Sequence, residues 1–315
     1  MKIAVVEPLA VETSQLDEII NASLGSSLKD VTIEHFAKRT ADEAELIARS
    51  KDAEIVVIGN VPFPRSVLEK CPKLKMLAIA FTGFDHVDVD YCHEHGIVVS
   101  NCSGYATVAT AELAIGLLLA VYRNIVPCDD ATRKGGTKAG LEGFELSGKT
   151  MGIIGTGAIG GHTARLAQAF GMKVIAFNRT KRDNGLEYKS LDEVLTESDA
   201  ISLHVPVTAE TRGMIGAREL GLMKKSAVLI NVARGPIVDN TALADALNSG
   251  RIAGAGIDVF DMEPPLPASY PLVKAKNTVI TPHVAYATAE SMLKRAKIEF
   301  DNIKAFLDGV PTNVI

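Results

Sequence analysis

Three glycines at G-x-G-x-x-G spacing sit directly behind an apolar run, in Gly152-Ile153-Ile154-Gly155-Thr156-Gly157-Ala158-Ile159-Gly160-Gly161. The pattern demands a strand, a tight turn and a helix in that order. Gly155 permits the turn, Gly157 lets the backbone approach a pyrophosphate, and Gly160 allows helix and strand to pack closely. Residues 162–170 have helical spacing, so the free N–H groups and positive dipole end of that helix would face phosphates. Glycine turns are common, and one alone would carry little. Here a second strand at 172–177 follows at the right distance, which favours a dinucleotide site over a purely structural turn.

The rest of the chain repeats the same grammar. Short β-branched runs at 3–6, 32–36, 55–58, 76–80 and 97–100 alternate with helical stretches such as 41–50 and 89–95. A second series starts at Lys149, with strands at 151–154, 174–177, 200–203, 228–231, 254–259 and 278–281. Alternation of this kind argues for βαβ units, because each parallel pair needs a crossover. Two doubly wound α/β domains follow. Between the series lie a long helix at 106–122, apolar nearly all round, and a Lys-, Gly- and Thr-rich stretch at 129–143 that reads as a loop. A helix of that character must be buried between domains or in a subunit interface. The last helix, 287–306, carries an apolar stripe, and the pattern leaves open which domain it packs on.

Composition excludes several classes. The chain has 315 residues, 47% hydrophobic and 23% charged, enough to bury a sizeable core and too apolar for disorder. Net charge is -5 with the signs mixed, so the basic stripe of a nucleic-acid binder is missing. The N-terminus reads as a strand and not as a signal peptide, and the longest apolar run, 113–121, is too short to span a bilayer. Cys71, Cys92, Cys102 and Cys128 form no C-x-x-C pair and no metal cluster, and are expected as free thiols. These features lead us to expect a cytoplasmic protein without a metal site, a membrane partner or a nucleic-acid partner.

Two further groups of residues carry chemistry. At the end of the second strand, an NAD site usually places an acid on the ribose 2′-hydroxyl. This chain has Asn178, then Arg179, Thr180, Lys181 and Arg182. Loss of the carboxylate removes repulsion against a 2′-phosphate and Arg179 could pair with one, so NADP(H) is expected over NAD(H). A solvated basic loop is the bland alternative. Three strand ends then supply Arg234 (in Asn231-Val232-Ala233-Arg234-Gly235), Glu263 (in Asp261-Met262-Glu263-Pro264-Pro265) and His283 (in Thr281-Pro282-His283-Val284). Taken singly, such an arginine can cap a loop, such an acid can be a surface charge, and a lone histidine is usually structural. Ligands bind at the carboxyl ends of strands in a doubly wound sheet, so together the three fit one reaction. Arg234 can grip a carboxylate through two hydrogen bonds, His283 can exchange a proton with a carbonyl oxygen, and Glu263 would hold the ring and keep it protonated for reduction.

These motifs, with Gly148-Lys149-Thr150-Met151, Gly256-Ile257-Asp258-Val259-Phe260 and Thr82-Gly83-Phe84-Asp85-His86-Val87-Asp88, closely resemble the signatures of the D-isomer-specific 2-hydroxyacid dehydrogenases. The resemblance runs in order through nearly the whole chain, as far as Gly309-Val310-Pro311-Thr312-Asn313-Val314. It implies a Rossmann-type dinucleotide-binding domain over 101–285 and a flavodoxin-like substrate domain split into 1–100 and 286–315. It assigns Arg234, Glu263 and His283 as substrate arginine, histidine-orienting acid and acid/base, and gives the amides near Gly83 and Phe84 to the substrate carboxylate. Implied cofactor contacts are Thr110, the turn residues Gly155, Gly157, Ala158, Ile159 and Gly160, then Asn178 and Arg179. Further along come the adenosine loop of His204, Val205, Pro206 and Thr211, followed by Val232, Ala233, Asp258 at the nicotinamide carboxamide, His283 and Ala285. The long helix would build a homodimer interface. Ala158 and Phe81 depart from what many relatives carry, and the regulatory C-terminal domain of some phosphoglycerate dehydrogenases is not expected here.

The expected reaction is hydride transfer between NAD(P)H and a short 2-oxo acid, with glyoxylate or hydroxypyruvate as the leading substrate. Two alternatives remain open on sequence alone. One is a D-lactate dehydrogenase. The other is a non-catalytic protein that senses the nicotinamide pool, as some related corepressors do, although no disordered tail or basic segment for partners is expected from this sequence.

Overall fold

The computed structural model describes residues 1–315. The first series of elements is β1 (Lys2–Val5), α1 (Thr13–Leu24), β2 (Thr32–His35), α2 (Glu43–Ser50), β3 (Ile55–Ile58), α3 (Arg65–Leu68), β4 (Met76–Ile79), α4 (Val89–Glu94) and β5 (Val98–Asn101). Helices α5 (Thr107–Tyr122) and α6 (Ile125–Arg133) follow. The second series is β6 (Thr150–Ile154), α7 (Ala158–Ala169), β7 (Lys173–Phe177), β8 (Glu187–Tyr188), α8 (Leu191–Glu197), β9 (Ala200–Leu203) and α9 (Ala217–Leu222), continuing with β10 (Val228–Asn231), α10 (Asn240–Asn248), β11 (Gly254–Ile257) and β12 (Thr278–Ile280). Helix α11 (Ala289–Leu307) closes the chain.

The chain divides into two compact units. Unit 1 is Met1–Ala106 with Ala287–Ile315, and unit 2 is Thr107–Tyr286.

Unit 1 holds a five-stranded parallel sheet in the order β2-β1-β3-β4-β5, the flavodoxin-like arrangement. Period-2 alternation sorts its strand residues to two faces. Ile3, Val5, Ile55, Val57, Met76 and Ala78 pack with Leu16, Ile20, Ala296 and Phe300 from α1 and α11. Ala4, Val56, Ile58, Leu77 and Ile79 pack instead with Leu46, Val67 and Tyr91 from α2, α3 and α4. The C-terminal residues run antiparallel along β5, with Ser100 opposite Val314 and the Ile315 N–H bonded to Val99 O at 3.0 Å. That pairing covers an edge which would otherwise present unpaired backbone groups.

Unit 2 holds a seven-stranded sheet in the order β12-β11-β10-β9-β6-β7-β8, parallel throughout, which is the Rossmann order extended by one strand. One face is covered by α5 and α7, the other by α8, α9 and α10. The near-uniform apolarity of α5 is explained in part by this packing: Ala114, Ile115, Leu117, Leu118 and Tyr122 are buried within the unit. Its approach to the sheet is close enough that a Cβ on Gly256 would stand 2.7 Å from Leu117 Cβ.

The stretch expected as loop from residue 129 is helical as far as Arg133. The ion pairs Asp129–Arg133 and Asp130–Lys134, at i,i+4 spacing, favour helix on a segment whose lysines and threonine read as a loop. No single helix is long and apolar enough to cross a membrane. No group of three or more His, Cys, Asp or Glu side chains stands close enough to hold a metal ion.

Candidate active site

The carboxyl ends of β10, β11 and β12 are neighbours in unit 2, and each leads into one of the three residues singled out for chemistry. Adjacent strands lie about 5 Å apart, so the three exits span about 10 Å. After β10, the buried Asn231 side chain shapes the turn. Its Oδ1 accepts the Ala233 N–H at 3.1 Å and its Nδ2 donates to Arg234 O at 3.0 Å. Arg234 is half-buried, with Nη1 donating to Ala233 O at 2.8 Å. Gly235 presses this turn against the exit of β11 so closely that a Cβ there would overlap Phe260 C at 1.8 Å.

His283 follows β12 with φ +58, a left-handed conformation that costs a non-glycine residue energy and must be held by its surroundings. Asp258 does the holding. It is fully buried; Oδ1 accepts from Thr281 Oγ1 at 2.6 Å and Val284 N at 2.9 Å, and Oδ2 accepts from Ala285 N at 2.8 Å. The His283 N–H itself donates to Asp258 O at 2.8 Å. Sequence reading gave Asp258 to the cofactor and missed this clamp, whose signal was only an acid at a strand end.

The imidazole Nδ1 of His283 lies 3.0 Å from both Glu263 oxygens. A carboxylate there accepts, so the Nδ1 position carries a proton and Nε2 is the nitrogen left for exchange. Tyr286 meets the ring edge-on with centroids 5.6 Å apart. Glu263 is 69% exposed and His283 26%, so solvent reaches the pair.

The glycine-rich turn lies at the carboxyl end of β6. Gly155 has φ +94, and a Cβ there would meet His204 O at 2.5 Å; one on Gly160 would meet Gly155 O at 1.9 Å. Packing therefore requires both glycines. Gly157 differs, because a Cβ there would meet no atom within 4 Å. Protein packing leaves that space open at the start of a twelve-residue helix, as a pyrophosphate cradle requires. Ala158 is exposed and Ile159 half-buried at the same helix start. The residues fit a dinucleotide.

Around the turn, Asn178 Oδ1 accepts the Thr156 N–H at 3.2 Å, and Arg179 is exposed. His204 contacts Ser202 Oγ at 2.9 Å through Nε2, and desolvation pushes it down to about 3, so the ring is neutral. Thr211 Oγ1 donates to Pro206 O at 2.6 Å and holds the loop after β9, where Val205 is half-buried and Pro206 exposed. Thr110 is buried on α5 and donates to Ala285 O at 3.4 Å. Val232 and Ala285 are buried, with Ala233 half-buried. Gly83 and Phe84 belong to unit 1, in the turn after β4, where Phe84 is 41% exposed.

Residues 115–285 match the family model for the D-isomer specific 2-hydroxyacid dehydrogenase, NAD binding domain. The chain belongs to the D-isomer-specific 2-hydroxyacid dehydrogenases. Hydroxypyruvate reductase of Blautia hydrogenotrophica is 36% identical, over 100% of this chain and 99% of the relative. Glyoxylate reductase of Thermococcus litoralis is 43% identical, over 85% of this chain and 84% of the relative. Among solved structures, the acyclic imino acid reductase Bsp5, in complex with NADPH and D-Arg, superposes with a TM-score of 0.91 at 34% identity and covers 100% of both chains. The protein is thus an NAD(P)-dependent oxidoreductase of the 2-oxo acid/2-hydroxy acid class.

Proposed function

We propose that this dehydrogenase works mainly as an NADPH-dependent reductase of glyoxylate or hydroxypyruvate. The observation that carries the reading is the Glu263–His283 pair at the exits of β11 and β12, beside the β10 exit that carries Arg234, because the three exits together supply a proton donor, its holder and a carboxylate grip. The cofactor, when bound, supplies the hydride. Arg234 holds the substrate carboxylate through paired N–H donors, which orients the carbonyl. His283 Nε2 gives its proton to the carbonyl oxygen as charge develops there, and takes it back in the reverse direction. Glu263 keeps the ring turned by bonding Nδ1, and Asp258 keeps the loop that carries it from relaxing. The amides of Gly83 and Phe84 are proposed to bind a substrate carboxylate.

The Gly155–Gly160 turn and the start of α7 would hold the pyrophosphate, with the 204–211 loop at the adenosine. The preference for NADPH is supported by Asn178, whose amide caps the turn where an acid would repel a 2′-phosphate, and by the exposed Arg179 beside it. The names of the relatives support the substrate class. A homodimer in the cytoplasm completes the proposal; the dimer is supported by exposed apolar side chains on unit 2, Val108 47%, Ile125 51%, Val126 56% and Phe144 61%.

The test is the loss of reduced-cofactor absorbance with NADPH and NADH in parallel, on glyoxylate, hydroxypyruvate and pyruvate. Fast turnover of either of the first two with NADPH is expected. Preference for NADH would remove the 2′-phosphate argument, and preference for pyruvate would make the protein a D-lactate dehydrogenase. Cofactor binding without turnover would bring back a sensing role.

A further inference from the structure

The hydrogen bonds around the phosphate-binding turn form a chain that leads away from it. Thr156, between Gly155 and Gly157, is 3% exposed. Its Oγ1 lies 2.9 Å from the Tyr188 hydroxyl, and that hydroxyl lies 3.2 Å from Asn184 Oδ1. An amide oxygen can only accept, and a phenol has one proton. Both contacts are satisfied only when Tyr188 donates to Asn184 and the Thr156 hydroxyl donates to Tyr188. Asn184 Oδ1 also accepts the Leu186 N–H at 3.3 Å, closing an Asx-type turn.

Tyr188 is itself fixed in place. It lies in β8, paired opposite Ala176 of β7, and the next residue, Lys189, donates its N–H to Ala176 O at 2.9 Å. The exposed cations Arg179, Lys181 and Arg182 all lie between Asn178 and Asn184. This basic loop is therefore tied to Thr156 at both ends, through Asn178 to the backbone N–H and through Tyr188 and Asn184 to the side chain.

We propose that Tyr188 is a positioning residue for cofactor selection: its hydroxyl joins the basic loop to the phosphate-binding turn and so presents the loop's cations to a 2′-phosphate. The proposal rests on the NADPH reading above. Ordering a loop of long exposed side chains on binding costs conformational entropy, and a loop already tied at both ends has less to lose. A nucleotide without the 2′-phosphate does not call on those cations, so the brace acts on one ligand and not the other.

The experiment is calorimetric titration of the full chain with 2′,5′-ADP and, separately, 5′-AMP, for wild type, Tyr188→Phe, Asn184→Ala and Arg179→Ala. Wild type is expected to favour 2′,5′-ADP. Tyr188→Phe and Asn184→Ala should each weaken 2′,5′-ADP by about fivefold, the scale of one neutral hydrogen bond, with 5′-AMP changed by less than about twofold. Equal loss of both ligands would make Tyr188 a support of the turn alone and overturn the proposal. Retention of 2′,5′-ADP binding in both, while Arg179→Ala loses it, would also overturn it and leave the NADPH reading standing. A wild type indifferent to the 2′-phosphate would overturn that reading, and this proposal with it.

Discussion

Two glutamates, one in each unit, bond a side chain that can carry a proton, and they behave as opposites. In unit 2, Glu263 is 69% exposed and holds His283 Nδ1 at 3.0 Å from either oxygen. In unit 1, Glu299 on α11 is fully buried and accepts from Cys102 Sγ at 2.9 Å, while its Oε1 has no hydrogen-bond partner. Burial pushes Glu299 up to about 7, against the opposing pull of the Cys102 hydrogen bond and the Arg295 charge. The Cys102 thiol is pushed far up by the same burial and by the Glu299 charge. Arg295, 3% exposed, lies over the Phe81 ring at 4.6 Å and donates to Leu9 O. Water decides the difference. A solvated acid can stay ionised and serve a neighbouring base, whereas a buried one tends to take up a proton.

The sharpest way to break the comparison is at His283. His283→Gln keeps a polar side chain at the strand end without an acid/base, and kcat should fall about 10³-fold with 2′,5′-ADP binding retained. Undiminished turnover would remove His283 from the chemistry.

Next in size is the buried acid. The folded-state value of Glu299 lies above its ordinary 4.5, so the folded chain binds this proton more tightly than the unfolded one. Its contribution is full below pH 4.5 and is lost as pH rises through about 7, a change of about 3 kcal/mol. Urea unfolding at about pH 5 and about pH 8 should show that slope in wild type and a flattened one in Glu299→Gln. Parallel curves for the two proteins would mean that Glu299 does not titrate in this window.

Glu263→Gln tests the exposed member. Because solvent screens this pair, kcat should drop only about tenfold, far less than for His283→Gln. A loss as large as that of His283→Gln would show that the acid does more than hold the ring.

The smallest effect belongs to Glu210, a solvent-exposed carboxylate drawn below its ordinary range first by the Thr208 hydroxyl and, more weakly, by Arg179. Glu210→Gln should release Arg179 and tighten NADPH about twofold at low salt, with the gain gone at high salt. A gain that survives high salt would point to a change of loop shape instead.

Much of the site was legible because it is local. Strand 228–231 followed at once by Arg234, strand 278–280 followed by His283, and the glycine spacing of 155–160 each report on a few contiguous residues. The misses are of the opposite kind. β8 has two residues, too few for any period, and exists through its pairing with β7. Resemblance assigns Asp258 only to the cofactor, and its hold on the His283 loop emerges once Thr281, Val284 and Ala285 arrive from a different segment to bond it. The apolar stripe of the last helix leaves open which domain it packs on, and gives no sign that Arg295 and Glu299 are buried there.

Sequence by itself determined the doubly wound class, the phosphate-binding turn and the residue types at three strand ends, because hydrophobic periodicity and glycine spacing act over neighbouring residues. Only the tertiary structure decided which carboxylates meet water. Burial depends on segments far apart in the chain, such as Cys102 and Glu299, and the free energy of an ionised group depends on that burial more than on its own identity.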